Sequence, residues 1–238
     1  MVDFHSHILP NMDDGSRSTE ESVQLLELLC AQGVDTVAAT PHFYAQENPP
    51  EAFLSRRAEA WERLRPRLTE RCPRVLLGAE VHYFRGISRA RQLRMLCLED
   101  TPVLLLEMPF SAWPAGVVEE LDELLAREDV RVVLAHVERY LPQQPRALWE
   151  RLRRQGALFQ CNASFFLDWR TRRRAMKMLR GGEVSLLGSD CHGVSYRPPH
   201  MDTAAERIRR HAGDAAWQRL EENARQLIAA GSCSSNHQ

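Results

Sequence analysis

Residues 188–200 read GSDCHGVSYRPPH, and their spacing fits two unrelated chemistries. Cys191 and Arg197 have five residues between them, as in a cysteine-dependent phosphatase loop, while Asp190 and His192 flank the same cysteine as candidate metal ligands. A cysteine loop must cradle phosphate with successive backbone N–H groups and run into a helix whose N-terminus stabilises the thiolate. Pro198-Pro199 follows the arginine at once, and a residue before proline is pushed out of the helical region. Proline at a first helical position is tolerated, so this weakens the cysteine loop without excluding it.

The rest of the chain supplies partners to the metal reading. His5 and His7 are two apart, so on a strand both imidazoles face the same side; Asp3 shares that period-two face and could orient a ligand or equally make a strand-start hydrogen bond. Asp13-Asp14-Gly15 follows. His42 (after Thr40-Pro41), Glu80, Glu107, His136 and Asp190 then fall at or just past the ends of five different predicted strands. The C-terminal ends of strands are where barrels and open α/β sheets build their sites. The candidate ligands are His5, His7, Asp14, His42, Glu80, Glu107, His136, Asp190 and His192, more than one tetrahedral ion can use. Two or three ions bridged by a carboxylate are implied. Imidazole and carboxylate donors without thiolate favour manganese, zinc or iron. Cys191 has no second recruit.

The elements that must position these residues alternate along the chain. Runs at Val2–His7, Val34–Thr40, Val75–Glu80, Val103–Glu107, Val132–His136, Ala157–Asn162 and Val184–Gly188 are predicted strands, several of them nearly all apolar as in a parallel sheet covered on both faces. Segments with helical spacing intervene at Thr19–Gln32, Glu51–Leu68, Gly116–Arg127, Arg146–Gln155 and Arg170–Leu179, followed by Thr203–His211 and Ala215–Ala229. The order predicts an α/β protein, either a doubly wound sheet or a barrel. One domain over residues 1–230 and a disordered tail over 231–238 are expected, with no internal repeat and no linker.

Composition excludes several classes. The 238 residues are 44% hydrophobic and 26% charged, ordinary for a globular protein, and a net charge of −1 offers no footprint for nucleic acid or an anionic membrane. Arg172-Arg173-Arg174 reads as a solvated helix face. The six cysteines are scattered without a C-x-x-C pair, which fits a reducing compartment. No apolar run is long enough to span a membrane. The N-terminus MVDFHSH lacks a signal peptide's basic and apolar regions, so a cytoplasmic location is expected.

In chain order, Asp3-Phe4-His5-Ser6-His7, Asp13-Asp14-Gly15, Thr40-Pro41-His42, Gly78-Ala79-Glu80, Leu106-Glu107-Met108-Pro109, Ala135-His136-Val137-Glu138-Arg139, Ser189-Asp190-Cys191-His192 and Arg197-Pro198-Pro199-His200 resemble the polymerase-and-histidinol-phosphatase (PHP) superfamily. More closely, the chain is similar to its bacterial protein-tyrosine phosphatases, which act on the kinases of capsular and exopolysaccharide synthesis. The similarity runs from about residue 1 to residue 230 without a large insertion. It implies a distorted TIM-like barrel of seven strands and a trinuclear site. His5, His7, Glu80 and Asp190 would hold one ion, Glu80, Glu107 and His136 a second, and Asp14, His42 and His192 the third. Glu80 then bridges two ions, and the choice of Asp14 over Asp13 rests on the family pattern.

The implied reaction is attack of metal-bound hydroxide on phosphorus, in line with the leaving oxygen. Arg139, three residues after His136, and Arg197, five after His192, are the candidates for gripping phosphate oxygens, because a planar guanidinium takes two at once. A phenolate leaves with little protonic help; Asp14 or a metal-bound water would supply a proton if one is needed. The expected partner is a phosphotyrosine-bearing bacterial tyrosine kinase, with no nucleic acid and no membrane insertion. Two other functions share the fold: a phosphoesterase for a small ester such as histidinol phosphate, and a non-catalytic kinase-binding regulator. His82, His211 and His237 are expected to be exposed, His200 to sit near the arginine loop, and Phe43 and Tyr44 either to shape the substrate mouth or to seal the barrel top.

Overall fold

The short aliphatic runs become parallel strands, and the amphipathic segments between them become the helices that cover the sheet. The structure is a computed structural model and describes residues 1–232. In chain order the elements are β1 (Val2–Ser6), α1 (Thr19–Ala31), β2 (Thr36–Ala39), β3 (His42–Phe43), α2 (Pro50–Leu64), β4 (Arg74–Leu77), β5 (Glu80–His82), α3 (Leu93–Leu96), β6 (Val103–Glu107), α4 (Ala115–Leu125), β7 (Arg131–Leu134), α5 (Arg146–Arg154), β8 (Leu158–Asn162), α6 (Ala163–Leu167), α7 (Arg172–Arg180), β9 (Leu186–Gly188), α8 (Met201–Ala212) and α9 (Asp214–Ser232).

Strand order is β1-β2-β4 and β3-β5-β6-β7-β8-β9, parallel throughout. Thr40-Pro41 separates β2 from β3, and Gly78-Ala79 separates β4 from β5. The nine segments therefore trace the seven strands expected, two of them broken just before they deliver His42 and Glu80. The sheet curls until its ends meet. Ser6 bridges to Cys191, the Asp190 N–H donates to the His5 carbonyl at 2.8 Å, and the His7 N–H donates to the Cys191 carbonyl at 2.9 Å.

Alternation along the strands divides the apolar residues into two cores. Val2, Phe4, Ala38, Leu76, Val103, Leu105, Val133 and Leu186 pack together with Ala224 and Leu227 of α9. The intervening residues, among them Val37, Ala39, Leu104, Leu106, Val132, Leu134, Phe159 and Leu187, join the larger core with the surrounding helices. Such two-sided burial is what a parallel sheet requires.

Helix ends differ from expectation where a backbone device intervenes. The segment expected to reach Leu68 stops at Leu64 because Pro66 has no N–H to continue the ladder, and a 3₁₀ turn spans Arg65–Arg67. The short α3 and α6 carry no readable periodicity and were not expected. Helix α9 runs to Ser232, past the expected boundary at residue 230, and residues 233–238, with Cys233 and His237, lie outside the described residues. Among the described residues no helix is long and apolar enough to cross a membrane.

Where β9 passes β1 the backbones approach too closely for a side chain. A methyl group at Gly188 would stand 2.6 Å from His5 Cβ and 2.8 Å from Gln160 Nε2. Gly188→Ala is expected to cost about 1–3 kcal/mol by overpacking; an unchanged denaturant midpoint would contradict this tight crossing.

Candidate metal centre

All nine predicted ligands converge at one end of the curled sheet. His5 comes from β1 and His7 directly follows it; within β1 the pairing slips, since Asp3 faces Val37 but Ser6 faces Ala39, three residues against two. This bulge interrupts the period-two face on which Asp3 was placed with His5. Asp3 instead ties backbone to backbone, its Oδ1 accepting from the N–H groups of Ser189 at 2.7 Å and His5 at 3.3 Å. His136 and Asp190, just past β7 and β9, have positive φ of 28° and 53°, unusual for residues with side chains. Strained backbone of this kind persists where the surroundings enforce it, commonly at functional sites.

The donor atoms lie close together. His5 Nε2 is 3.1 Å from His7 Nε2, 3.2 Å from Glu80 Oε2 and 3.8 Å from Asp190 Oδ1. His136 Nε2 is 2.7 Å from Glu80 Oε1 and 3.4 Å from Glu107 Oε1. Asp14 Oδ1 is 3.6 Å from His42 Nε2 and 3.3 Å from His192 Nε2. Four groups have donor atoms mutually within 4.8 Å: His7, Asp14, His42 and His192; His5, His7 and Asp190; His5, Glu80 and His136; His42, Glu80 and Glu107. Atoms that share one ion at about 2.0–2.2 Å stand roughly 3–3.5 Å from each other, so these residues fit divalent cations. His5, His7, His42 and Glu80 each belong to two groups, so the sets interlock more than the three expected ones do.

Adjacent groups aim the ligands. Asp13 Oδ2 lies 2.6 Å from His7 Nδ1 and accepts from the His42 N–H at 2.9 Å, so Asp13 steers two ligands while Asp14 faces the donor cluster. His192 Nδ1 lies 3.0 Å from the Asp190 carbonyl. His82, expected to be exposed, is half-buried and places its Nδ1 2.9 Å from Glu107 Oε2. No sequence spacing singled out His82; its place one strand pairing from Glu107 is the signal.

Charge is concentrated here. Glu80 is 1% exposed, and neither its Oε2 nor His42 Nδ1 has a hydrogen-bond partner, although the two atoms are 2.9 Å apart. Burial opposes the Glu80 charge, but His5 and His136 outweigh it and hold the carboxyl well below its usual range. Burial likewise favours neutral His136, yet Glu80 and Glu107 raise it to about 9. His192 goes the other way, to about 4, through burial and the positive charges of His7 and Arg197. Buried, opposite-signed donors with unpartnered lone pairs are the chemistry of a cation site.

Both predicted arginines reach the centre. Arg139 Nη2 donates to Asp190 Oδ2 at 2.6 Å, Arg197 Nη2 donates to the same oxygen, and Arg197 Nη1 lies 3.0 Å from His192 Nε2. Their side chains remain about one-third exposed, at 35% and 31%. Cys191 is wholly buried, and burial pushes its thiol up to about 12, the opposite of a nucleophile. The next helix begins at Met201, past Arg197, with Cys191 instead in the sheet's closing bridge.

The remaining candidates separate. His200 and His211 are exposed, so His200 does not support the arginine loop through a buried contact. Phe43 packs into the core against Phe53, whereas Tyr44 lies beside His42 and His82, each at a centroid distance of 5.4 Å. Phe110, not singled out in the sequence, is 48% exposed with its ring 5.8 Å from His136 and 5.7 Å from the Arg139 guanidinium.

A family model described as capsular polysaccharide synthesis, CpsB/CapC, matches residues 1–229. Tyrosine-protein phosphatase YwqE of Bacillus subtilis (strain 168) is 29% identical over 238 residues, covering 96% of this chain and 91% of the relative. Tyrosine-protein phosphatase CpsB of Streptococcus agalactiae serotype V is 28% identical over 241 residues, covering 96% and 98%. A chain from the crystal structures of YwqE from Bacillus subtilis and CpsB from Streptococcus pneumoniae, described as unique metal-dependent tyrosine phosphatases, matches with a TM-score of 0.84 and 27% identity over 96% of this chain and 94% of that one. The chain thus belongs to the CpsB/CapC family of capsular polysaccharide synthesis.

Proposed function

We propose that this protein is a metal-dependent protein-tyrosine phosphatase that serves capsular or exopolysaccharide synthesis from the cytoplasm, with a phosphotyrosine-bearing bacterial tyrosine kinase as its substrate. The observation that carries the reading is the convergence of nine ionisable side chains, from different strand ends, around a buried Glu80 oxygen with no hydrogen-bond partner. By the family resemblance, His5, His7, Glu80 and Asp190 would hold one cation, Glu80, Glu107 and His136 a second, and Asp14, His42 and His192 a third, with Mn2+ preferred and Zn2+ or iron as alternatives. Divalent cations supply charge neutralisation and bring the pKa of water toward neutrality.

The chain's own residues do the rest. Arg139 and Arg197 share one Asp190 oxygen, which fixes both forks beside the centre and leaves further N–H donors for phosphate oxygens. Releasing the bond between Arg197 Nη1 and His192 frees one more. The exposed Phe110 ring between His136 and Arg139, with Tyr44 beside His42, offers aromatic faces to a phenyl group next to the phosphate. Asp14, 65% exposed, stands where it can pass a proton to a leaving oxygen that needs one.

Three outcomes follow. Phosphotyrosine-peptide hydrolysis is expected to disappear with a chelator, to return with Mn2+, and to exceed hydrolysis of histidinol phosphate. Cys191→Ser should retain most activity; activity that survives the chelator but is lost in Cys191→Ser would overturn the assignment. Asp13→Asn removes the charge that orients His7, and about a 10–100-fold loss of Mn2+ affinity or activity is expected; titration of metal-free protein measures it, and wild-type affinity would refute the role.

A further outcome concerns pH. Ligands bind cations only when deprotonated, and His136 keeps its proton to about pH 9 in the cation-free centre. Cation uptake must therefore release protons, and apparent Mn2+ affinity should rise from pH 6 to pH 9. Calorimetry in buffers of different ionisation enthalpy reads the release, and pH-independent affinity would contradict it.

A further inference from the structure

Strand β8 differs from its neighbours. β1, β3, β5 and β6 each carry at least one of the acids or imidazoles of the centre, and β7 and β9 lead directly into others, while β8 carries none. It nevertheless directs two polar side chains to the same face, two residues apart: Gln160, 0% exposed, and Asn162, 3% exposed. Burying two amides costs free energy unless every group is satisfied, and each of them is used.

The hydrogen bonds run in one direction. Gln160 Oε1 accepts from the His136 backbone N–H at 2.7 Å and lies 3.2 Å from His5 Nδ1. Gln160 Nε2 donates to Asn162 Oδ1 at 2.9 Å, and Asn162 Nδ2 donates to Asp190 Oδ2 at 2.7 Å. The orientation is determined from both ends, because a backbone N–H can only donate and an ionised carboxylate can only accept. With the Gln160 oxygen so fixed, His5 Nδ1 must carry its hydrogen, which leaves the lone pair on Nε2. That nitrogen faces His7, Glu80 and Asp190.

We infer that Gln160 and Asn162 form a positioning relay that sets the His5 tautomer and aims Asp190 Oδ1 at the donor cluster. Neither residue belongs to the clustered donor groups. Gln160 links the N–H of His136 to the ring of His5, so ligands from two strands share one reference point, and Asn162 extends it to a third. Gly188 leaves the space the relay occupies, since a methyl there would meet Gln160 Nε2 at 2.8 Å. The inference rests on the metal-centre reading, but its tests read tautomer and metal affinity rather than phosphatase activity.

Gln160→Leu removes the acceptor, whereas Gln160→Glu keeps it, loses the donation to Asn162 and adds a carboxylate beside His5. Zn2+ titration of the full chain against a chromophoric chelator should show Gln160→Leu weaker by about 10–100-fold and Gln160→Glu within about threefold of wild type. In the Zn2+-loaded wild type, ¹⁵N imidazole spectra should show the His5 hydrogen on Nδ1. Wild-type Zn2+ affinity in Gln160→Leu, equal losses in both variants, or a His5 hydrogen on Nε2 would each overturn the relay. If Gln160→Leu does not fold, the Gln160→Glu titration and the wild-type spectrum decide. A wild type that binds no metal sinks the proposed function, whereas metal bound with wild-type affinity by Gln160→Leu sinks the relay alone.

Discussion

A carboxylate held out of water without a full set of partners is the constraint on which this structure turns. Glu80 is surrounded by imidazoles: His136 at 2.7 Å, His42 at 2.9 Å, His5 at 3.2 Å and His7 at 3.4 Å. A buried charge is tolerable only when it is paired or coordinated, and breaking such a set leaves a penalty of several kcal/mol. The fold meets this requirement geometrically. The chain breaks at Thr40-Pro41 and again at Gly78-Ala79, so that β3 and β5 restart with His42 and Glu80 as register partners. The bulge in β1 and the left-handed backbone at His136 and Asp190 turn the remaining donors toward the same point.

Much of this was legible because parallel strands covered on both faces advertise themselves as apolar runs, and a lone ionisable residue at the end of such a run is conspicuous. The seven strands and the candidates at their ends could be found that way, whereas Asp14 needed the family pattern and the two arginines their spacing from His136 and His192. Adjacent residues with the same chemistry were harder. Asp13 and Asp14 differ in role only because the loop turns one toward His7 and the other toward His42 and His192. Nothing in local spacing carries that difference.

Long-range pairing carries no such signature at all. Asp3 was grouped with His5 on period-two reasoning, and a one-residue slip undid the grouping. His82 looked unpartnered because Glu107 is 25 residues away and becomes a neighbour only through the sheet. Gln160 and Asn162 left a fainter trace. In the run LFQCN the two amides alternate with buried Phe159 and Cys161, and an amide at an interior position of a doubly covered strand must find partners there.

Asp190 shows why the two parses of GSDCHGVSYRPPH diverge so completely. One of its oxygens faces His5 and His7, and the other accepts from Asn162, Arg139 and Arg197. The residue therefore joins the donor cluster to both arginines. Cys191, its neighbour, is spent on the seam: its carbonyl receives the His7 N–H and its thiol is sealed in the core. Arg197 satisfies both parses because any phosphoryl-transfer site must neutralise the same oxygens, whatever delivers the nucleophile. An arginine at a fixed distance is thus poor evidence for a mechanism, and the burial of the residue at the other end of the spacing is what discriminates.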